Sequence, residues 1–185
     1  MDVKVYKCFI ASPGDTSDER KICDKVFNEI NKSIGENYNF RIESLKWEND
    51  TRPAFGDYSQ AVVSEQMGNE YELFIGIMYK KFGTPTKVAG SGTEEEFDNA
   101  YKQLLDNKKL EIMFYFNELP TKISEIDITE LSKVLLFKNK IKSLNGYYWS
   151  YSGIQDFEES LRNHLNLFFT KEYKNAFVID EKKAL

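Results

Sequence analysis

The run Leu73-Phe74-Ile75-Gly76-Ile77-Met78 carries no polar side chain at any of its positions. A strand with one wet face alternates apolar and polar residues. A continuous run of this length suits a strand covered on both faces, as in a parallel sheet flanked by helices. Four further segments read as strands. Val3 to Ile10 alternates and then becomes apolar, and Phe40 to Trp47 alternates. Leu110 to Phe116 is nearly all apolar, and Gly146 to Tyr151 is short and aromatic.

Helical patterns separate the strands. Ile22, Cys23, Val26, Phe27, Ile30 and Ile34 share one face. Asp57 or Ser59 can cap a short helix with Ala61, Val62, Val63 and Met67. Phe97, Ala100, Tyr101, Leu104 and Leu105 mark a third helix, and Leu131, Val134, Leu135, Lys138 and Ile141 a fourth. Ile154, Phe157, Leu161, Leu165 and Phe168 mark the last. Residues 1–170 thus form one domain, and the polar stretch 171–185 reads as a tail or linker. Strict alternation calls for an α/β fold: a five-stranded parallel sheet with helices on both faces. Placing the first and third strands centrally gives the flavodoxin-like order 2-1-3-4-5, a three-layer sandwich. The loops Ala11 to Thr16 and Lys80 to Thr93 then meet at the switch point, which brings Ser12 and Glu96 near each other.

Three helix starts carry a capping-box pattern: Thr16 with Glu19, Thr93 with Glu96, and Ser152 with Gln155. At the second, Glu94 and Glu95 are expected to be solvated first-turn charges. Glu96 has two readings. Either it only reaches back to the Thr93 backbone, or it is an acidic group presented at the mouth of the sheet.

Composition narrows the chemistry. The single histidine, His164, lies on a helix and is expected on its face, so no Ser-His-Asp or Cys-His system and no His-rich metal site is expected. Two cysteines, Cys8 and Cys23, sit on apolar faces and suit a reducing cytoplasm. A net charge of −5 argues against a general nucleic-acid binder. No apolar run approaches the roughly 20 residues of a membrane span. Met1 to Lys4 leads straight into a strand pattern, so a cytoplasmic location is expected.

The ordered string Phe9-Ile10-Ala11-Ser12-Pro13-Gly14-Asp15, Glu19-Arg20, Trp47-Glu48, Gln60, Phe74 to Ile77, Phe82-Gly83-Thr84-Pro85-Thr86 and Ser91 to Phe97 with Ala100 resembles the DUF4062 family. That family belongs with the TIR-like and nucleoside-deoxyribosyltransferase-like folds, and many members precede STAND-type NTPases of bacterial immunity. Two wider resemblances meet at Glu96. The spacing from Ser91 to Glu96 is similar to that leading to the catalytic glutamate of NAD-cleaving TIR domains, with Thr93-Glu94 where those have Trp-Cys. Gly92-Thr93 and Glu96 keep the spacing of the deoxyribosyltransferase nucleophile.

The resemblance implies cleavage of an N-glycosidic bond, with NAD as substrate rather than cofactor and no metal. Glu96 would stabilise an oxocarbenium-like sugar or form a sugar ester. Ser12, Pro13 and Asp15 would bind ribose or phosphate. Trp47, Tyr79 and Phe82 would stack on a base, against the plain alternative that each is core. Arg52 would pair with a phosphate or stay solvated, and Lys80, Lys81 and Lys87 would attract an anion. Ser91, Gly92 and Thr93 would complete the wall. Activity on self-association, within antiphage immunity and beside a STAND-type or other immune partner, follows from the same resemblance. Two alternatives stand beside it: a non-catalytic assembly module in which Glu96 is a cap, and a deoxyribosyltransferase-like enzyme.

Overall fold

The computed structural model describes residues 3–45, 71–106 and 109–183, with 174–183 described by backbone alone. Strand β1 (Lys4–Ala11) leads through a 3₁₀ turn (Gly14–Thr16) into α1 (Ser17–Ile30). A π-turn (Asn31–Gly35) and a last helical turn (Glu36–Tyr38) carry the chain to β2 (Phe40–Leu45). Then come β3 (Leu73–Met78), α2 (Gly92–Leu105), β4 (Glu111–Asn117), α3 (Ile128–Ser143), β5 (Trp149–Tyr151) and α4 (Ile154–Lys183). The five strands form one parallel sheet in the order β2-β1-β3-β4-β5. This is the α/β architecture and strand order expected from the alternating pattern. The helix expected near 57–67 lies outside the described residues.

The pleat of β3 explains its unbroken apolar run. All six residues are buried, and they divide between two cores. Leu73, Ile75 and Ile77 join Val26 and Phe27 of α1 and Phe157, Leu161 and Leu165 of α4. Phe74 and Met78 join Phe97 and Ala100 of α2 and Val134, Phe137 and Ile141 of α3. Each such side chain contributes roughly 1.5–3 kcal/mol by leaving water. Gly76 belongs to the second face, where a Cβ would stand 2.1 Å from the Phe114 ring. Cys8 and Cys23 are fully buried in the first core, and burial pushes both thiols well above their usual range.

The outer edge of β2 is closed by a side chain. The Asn31 amide donates to the Ile42 carbonyl at 2.9 Å and accepts from the Ile42 N–H at 2.7 Å, standing in for a neighbouring strand.

The stretch 171–185, read as a tail or linker, continues the last helix as far as Lys183. Its Tyr173 ring stacks on Phe40 and Tyr38, both at 5.0 Å. A single aromatic on the sheet side is enough to extend the packed face by a turn. The short β5 begins at Trp149 rather than Gly146, because Gly146 N–H bonds the Ile141 carbonyl as α3 ends.

Candidate functional site at the switch point

Chains leaving β1 and β3 diverge at the carboxyl edge of the sheet and leave a groove of about 1260 Å³. It exceeds the roughly 300–1,000 Å³ of a typical small-ligand pocket and is an open trough. One wall is the turn Ser12, Pro13 and Gly14 with Arg20 of α1. The opposite wall is the loop from Lys81 to Lys87. Gly92, Thr93 and Glu96 of α2 close one end, and Asp127 and Glu130 at the start of α3 complete the rim.

Carboxylates hold the loop from three sides. Asp15 Oδ2 accepts the N–H groups of Lys80 and Lys81 at 3.1 and 3.0 Å. Glu130 Oε2 accepts those of Phe82 and Gly83 at 2.9 and 3.2 Å. Glu94 Oε2 accepts that of Gly90 at 2.9 Å. Between these anchors Thr86 closes its own turn, accepting from Ala89 N–H at 3.0 Å. Gly83 sits at φ +103°, and a Cβ there would meet Ser91 at 3.5 Å and Pro13 at 3.9 Å. The loop backbone is thus seated between the β1 exit and the start of α2. The Lys133 ammonium holds the Glu130 carboxyl below its usual range, against a cost from burial and with help from the Gly83 and Phe82 N–H groups.

The start of α2 differs from the expected box. Ser91, not Thr93, is the N-cap, and its Oγ accepts Glu94 N–H at 3.1 Å. Glu94 reaches back past the cap to the Gly90 N–H, and its other oxygen pairs with Lys140 at 2.9 Å. Burial disfavours the Lys140 ammonium, but its pairs with Asp98 and Glu94 outweigh this and raise its pKa. Glu95 is buried rather than solvated, at 6% exposure. The register moves by two residues because Ser91 is already extended off the loop and the helix begins at Gly92. The cap therefore stands two residues earlier than the spacing of Thr93 and Glu96 implied, and Glu96 lies along the groove.

The other two boxes also fail. Thr16 turns its hydroxyl back to the Pro13 carbonyl at 2.8 Å. Glu19 is buried at 6% exposure and accepts the Tyr151 hydroxyl at 2.9 Å and the Asn117 amide at 3.3 Å. At the last helix it is Asp156, not Gln155, that reaches back, accepting Ser152 N–H at 2.7 Å.

The structure brings together Ser12, Pro13, Gly92, Thr93 and Glu96. Ser12 Oγ is buried and bonds no described residue. Asp15 stands behind this wall as the loop anchor, and Ser91 as the cap. Tyr79 and Phe82 are not groove residues. Tyr79 lines a separate hollow of about 310 Å³, where its hydroxyl donates to the Leu119 carbonyl at 3.1 Å and pairs with Thr121. Phe82 is 4% exposed and packs edge-on against Phe137. Phe82 is thus a core residue, the plain alternative to stacking on a base, whereas Tyr79 is half-buried at the hollow beside α3. Trp47 and Arg52 lie outside the described residues. Arg20, Asp127 and Glu130 join the groove without having been singled out. Glu130 had a signal of a kind, a carboxylate one turn after the Asp127 cap. Nothing local says that it reaches the β3 loop.

His164 lies far from this groove. Its Nδ1 is 2.9 Å from the Tyr115 hydroxyl, and burial lowers its pKa. No helix is long and apolar enough to cross a membrane among the described residues.

No family model matches the chain, and no curated protein matches it. Among solved structures it is similar to the apo form of translation elongation factor SelB from Methanococcus maripaludis, at 20% identity with a TM-score of 0.46. The match covers 92% of this chain and 36% of that one, so the chain spans about a third of that protein's length.

Proposed function

We propose that this chain is a TIR-like NAD glycohydrolase or ADP-ribosyl cyclase that breaks the bond between nicotinamide and ribose. One observation carries the reading: Glu96, in the first turn of a helix whose cap is Ser91, lines the same groove as Ser12 at the switch point. As the C1′–N bond breaks, the bonding pair leaves with nicotinamide, which departs neutral, and positive charge develops on the ribose. The Glu96 carboxylate stabilises that charge directly or as a transient sugar ester. Water then attacks C1′ to give the linear product, or a ring nitrogen of the same molecule attacks to give a cyclic one. No strong general acid is required, because the leaving group is already cationic. Ser12, with Pro13 and Gly14, receives the ribose and its neighbouring phosphate. Arg20 and Lys81 supply positive charge along the trough for a diphosphate.

Assembly into oligomers, and a role in antiphage immunity beside a STAND-type or other partner, are part of this proposal. They rest on the family resemblance. A concentrated sample incubated with NAD should release nicotinamide, and Glu96→Gln should abolish the release. Equal release by the variant would remove Glu96 from the mechanism.

A second reading is a non-catalytic assembly module. It is favoured by the packing of Tyr79 and Phe82 away from the groove, which leaves the described walls without the two rings expected to stack on a base. In that case concentrated protein binds its partner but leaves NAD intact. Base exchange between two nucleosides would instead mark a deoxyribosyltransferase-like enzyme.

A further inference from the structure

Strand β4 is longer than the strand beside it. β3 pairs with it from Glu111 to Phe116, whereas β5 pairs only with Tyr115, Phe116 and Asn117. The direction of the bare groups follows from two hydrogen bonds. Glu111 N–H donates to Glu72 at 3.0 Å, toward β3, and Glu118 N–H donates to Tyr151 at 2.7 Å, toward β5. Backbone groups alternate sides along a strand. The N–H and carbonyl of Ile112 and the N–H of Phe114 therefore face the β5 side, below the point where β5 begins, and have no strand partner there among the described residues.

A cavity of about 510 Å³ opens beside this edge, against α4. Met113, Leu167 and Phe168 supply apolar surface, and Trp149 bounds it. Leu167 is 68% exposed, an apolar side chain facing nothing among the described residues that hides it from water. The charged groups on the rim are Glu111 and Glu172 against Lys171. His164 also lines the cavity.

We propose that the bare edge of β4 from Glu111 to Phe114 receives an extended peptide segment carrying a basic side chain, which adds as a short sixth strand. The backbone of such a segment satisfies Ile112 and Phe114. Its apolar side chains lie on Leu167 and Phe168, and its lysine or arginine meets Glu111 and Glu172. The open stretch is about 13 Å long at 3.3 Å per residue, so about four residues of the peptide are held. A second copy of this chain is a poorer occupant, because edge-to-edge pairing brings two acidic rims together.

The test uses the full chain and two fluorescein-labelled peptides, Thr-Val-Thr-Lys-Thr-Val-Thr and Thr-Val-Thr-Glu-Thr-Val-Thr, which place the valines and the charged residue on one face of the added strand, followed by anisotropy. The lysine peptide should bind saturably and the glutamate peptide about tenfold more weakly. Ile112→Pro removes the outward N–H without touching the β3 ladder, a position where edge proline is tolerated. It should weaken lysine-peptide binding about tenfold. Glu111→Lys, on an exposed side chain, should reverse the preference between peptides. Thermal melts confirm that each variant folds; if Ile112→Pro does not, Glu111→Lys decides. Absence of saturable binding, or identical binding by wild type and Glu111→Lys, overturns the proposal. So does a concentration-dependent dimer, seen by sedimentation, that excludes the peptide.

Discussion

Glu19 of α1 accepts a hydrogen bond of 2.9 Å from the hydroxyl of Tyr151 at the end of β5, 132 residues further along the chain. The pair is buried and ties the first helix to the last strand across the carboxyl edge of the sheet. Asn117, at the end of β4, donates to the same oxygen at 3.3 Å. Breaking it from the tyrosine side leaves Glu19 one partner. Tyr151→Phe should lower stability by about 1–3 kcal/mol in urea unfolding, and Glu19→Ala by more, since it orphans two donors. The double variant should lose less than the sum, by about 1–2 kcal/mol. Strict additivity would show that the contact carries no energy.

Ser91 and Glu96 should separate cleanly. Ser91→Ala removes the cap of α2 and should cost about 1 kcal/mol in stability. Glu96→Gln should leave the melting curve within about 0.5 kcal/mol while nicotinamide release falls by at least about a hundredfold. Thr93→Ala should show no loss of the capping kind. A larger destabilisation from Thr93→Ala than from Ser91→Ala would restore the box read from spacing alone.

Gly76 has no room for a methyl group. The Phe114 ring over it is itself wedged against Phe97, Phe116 and Phe137 at 5.8, 5.0 and 5.3 Å between centroids. Gly76→Ala should therefore destabilise by roughly 1–3 kcal/mol or more, as overpacking does in a filled core. The companion Gly76→Ala with Phe114→Leu should recover part of that loss. No recovery would place the strain elsewhere.

His164 sets one part of the acid response. Burial holds its pKa below the usual value, so the unfolded chain binds the proton first as pH falls. Stability is intact above about pH 6.5 and declines as pH drops through that value, levelling below the folded-state pKa. Urea midpoints measured from pH 7.5 to 5.5 should fall, and His164→Gln should flatten that decline.

Much of the fold was legible in side-chain order. The unbroken apolar run of β3 required a covered strand, and the β–α alternation required parallel neighbours. The strand order 2-1-3-4-5 followed from which strands were most apolar. The helix starts were less legible. Thr93-Glu96 and Ser91-Glu94 both satisfy the same four-residue spacing, and only the path of the loop chooses between them. The same holds for Glu19, whose spacing from Thr16 suits a cap but whose carboxylate is claimed by Tyr151 and Asn117.

By itself, then, the sequence determined the layers, the strand order and the presence of an acidic residue at the switch point. Those depend on hydrophobic period, a property of residues close along the chain. Which carboxylates cap, which anchor the loop and which line the groove was decided by tertiary structure. Asp15, Glu94 and Glu130 look alike in sequence and differ only in which backbone N–H groups the fold brings within 3.2 Å. Phe82 was settled in the same way, because its ring leaves water against Phe137, and that place exists only once α3 has packed.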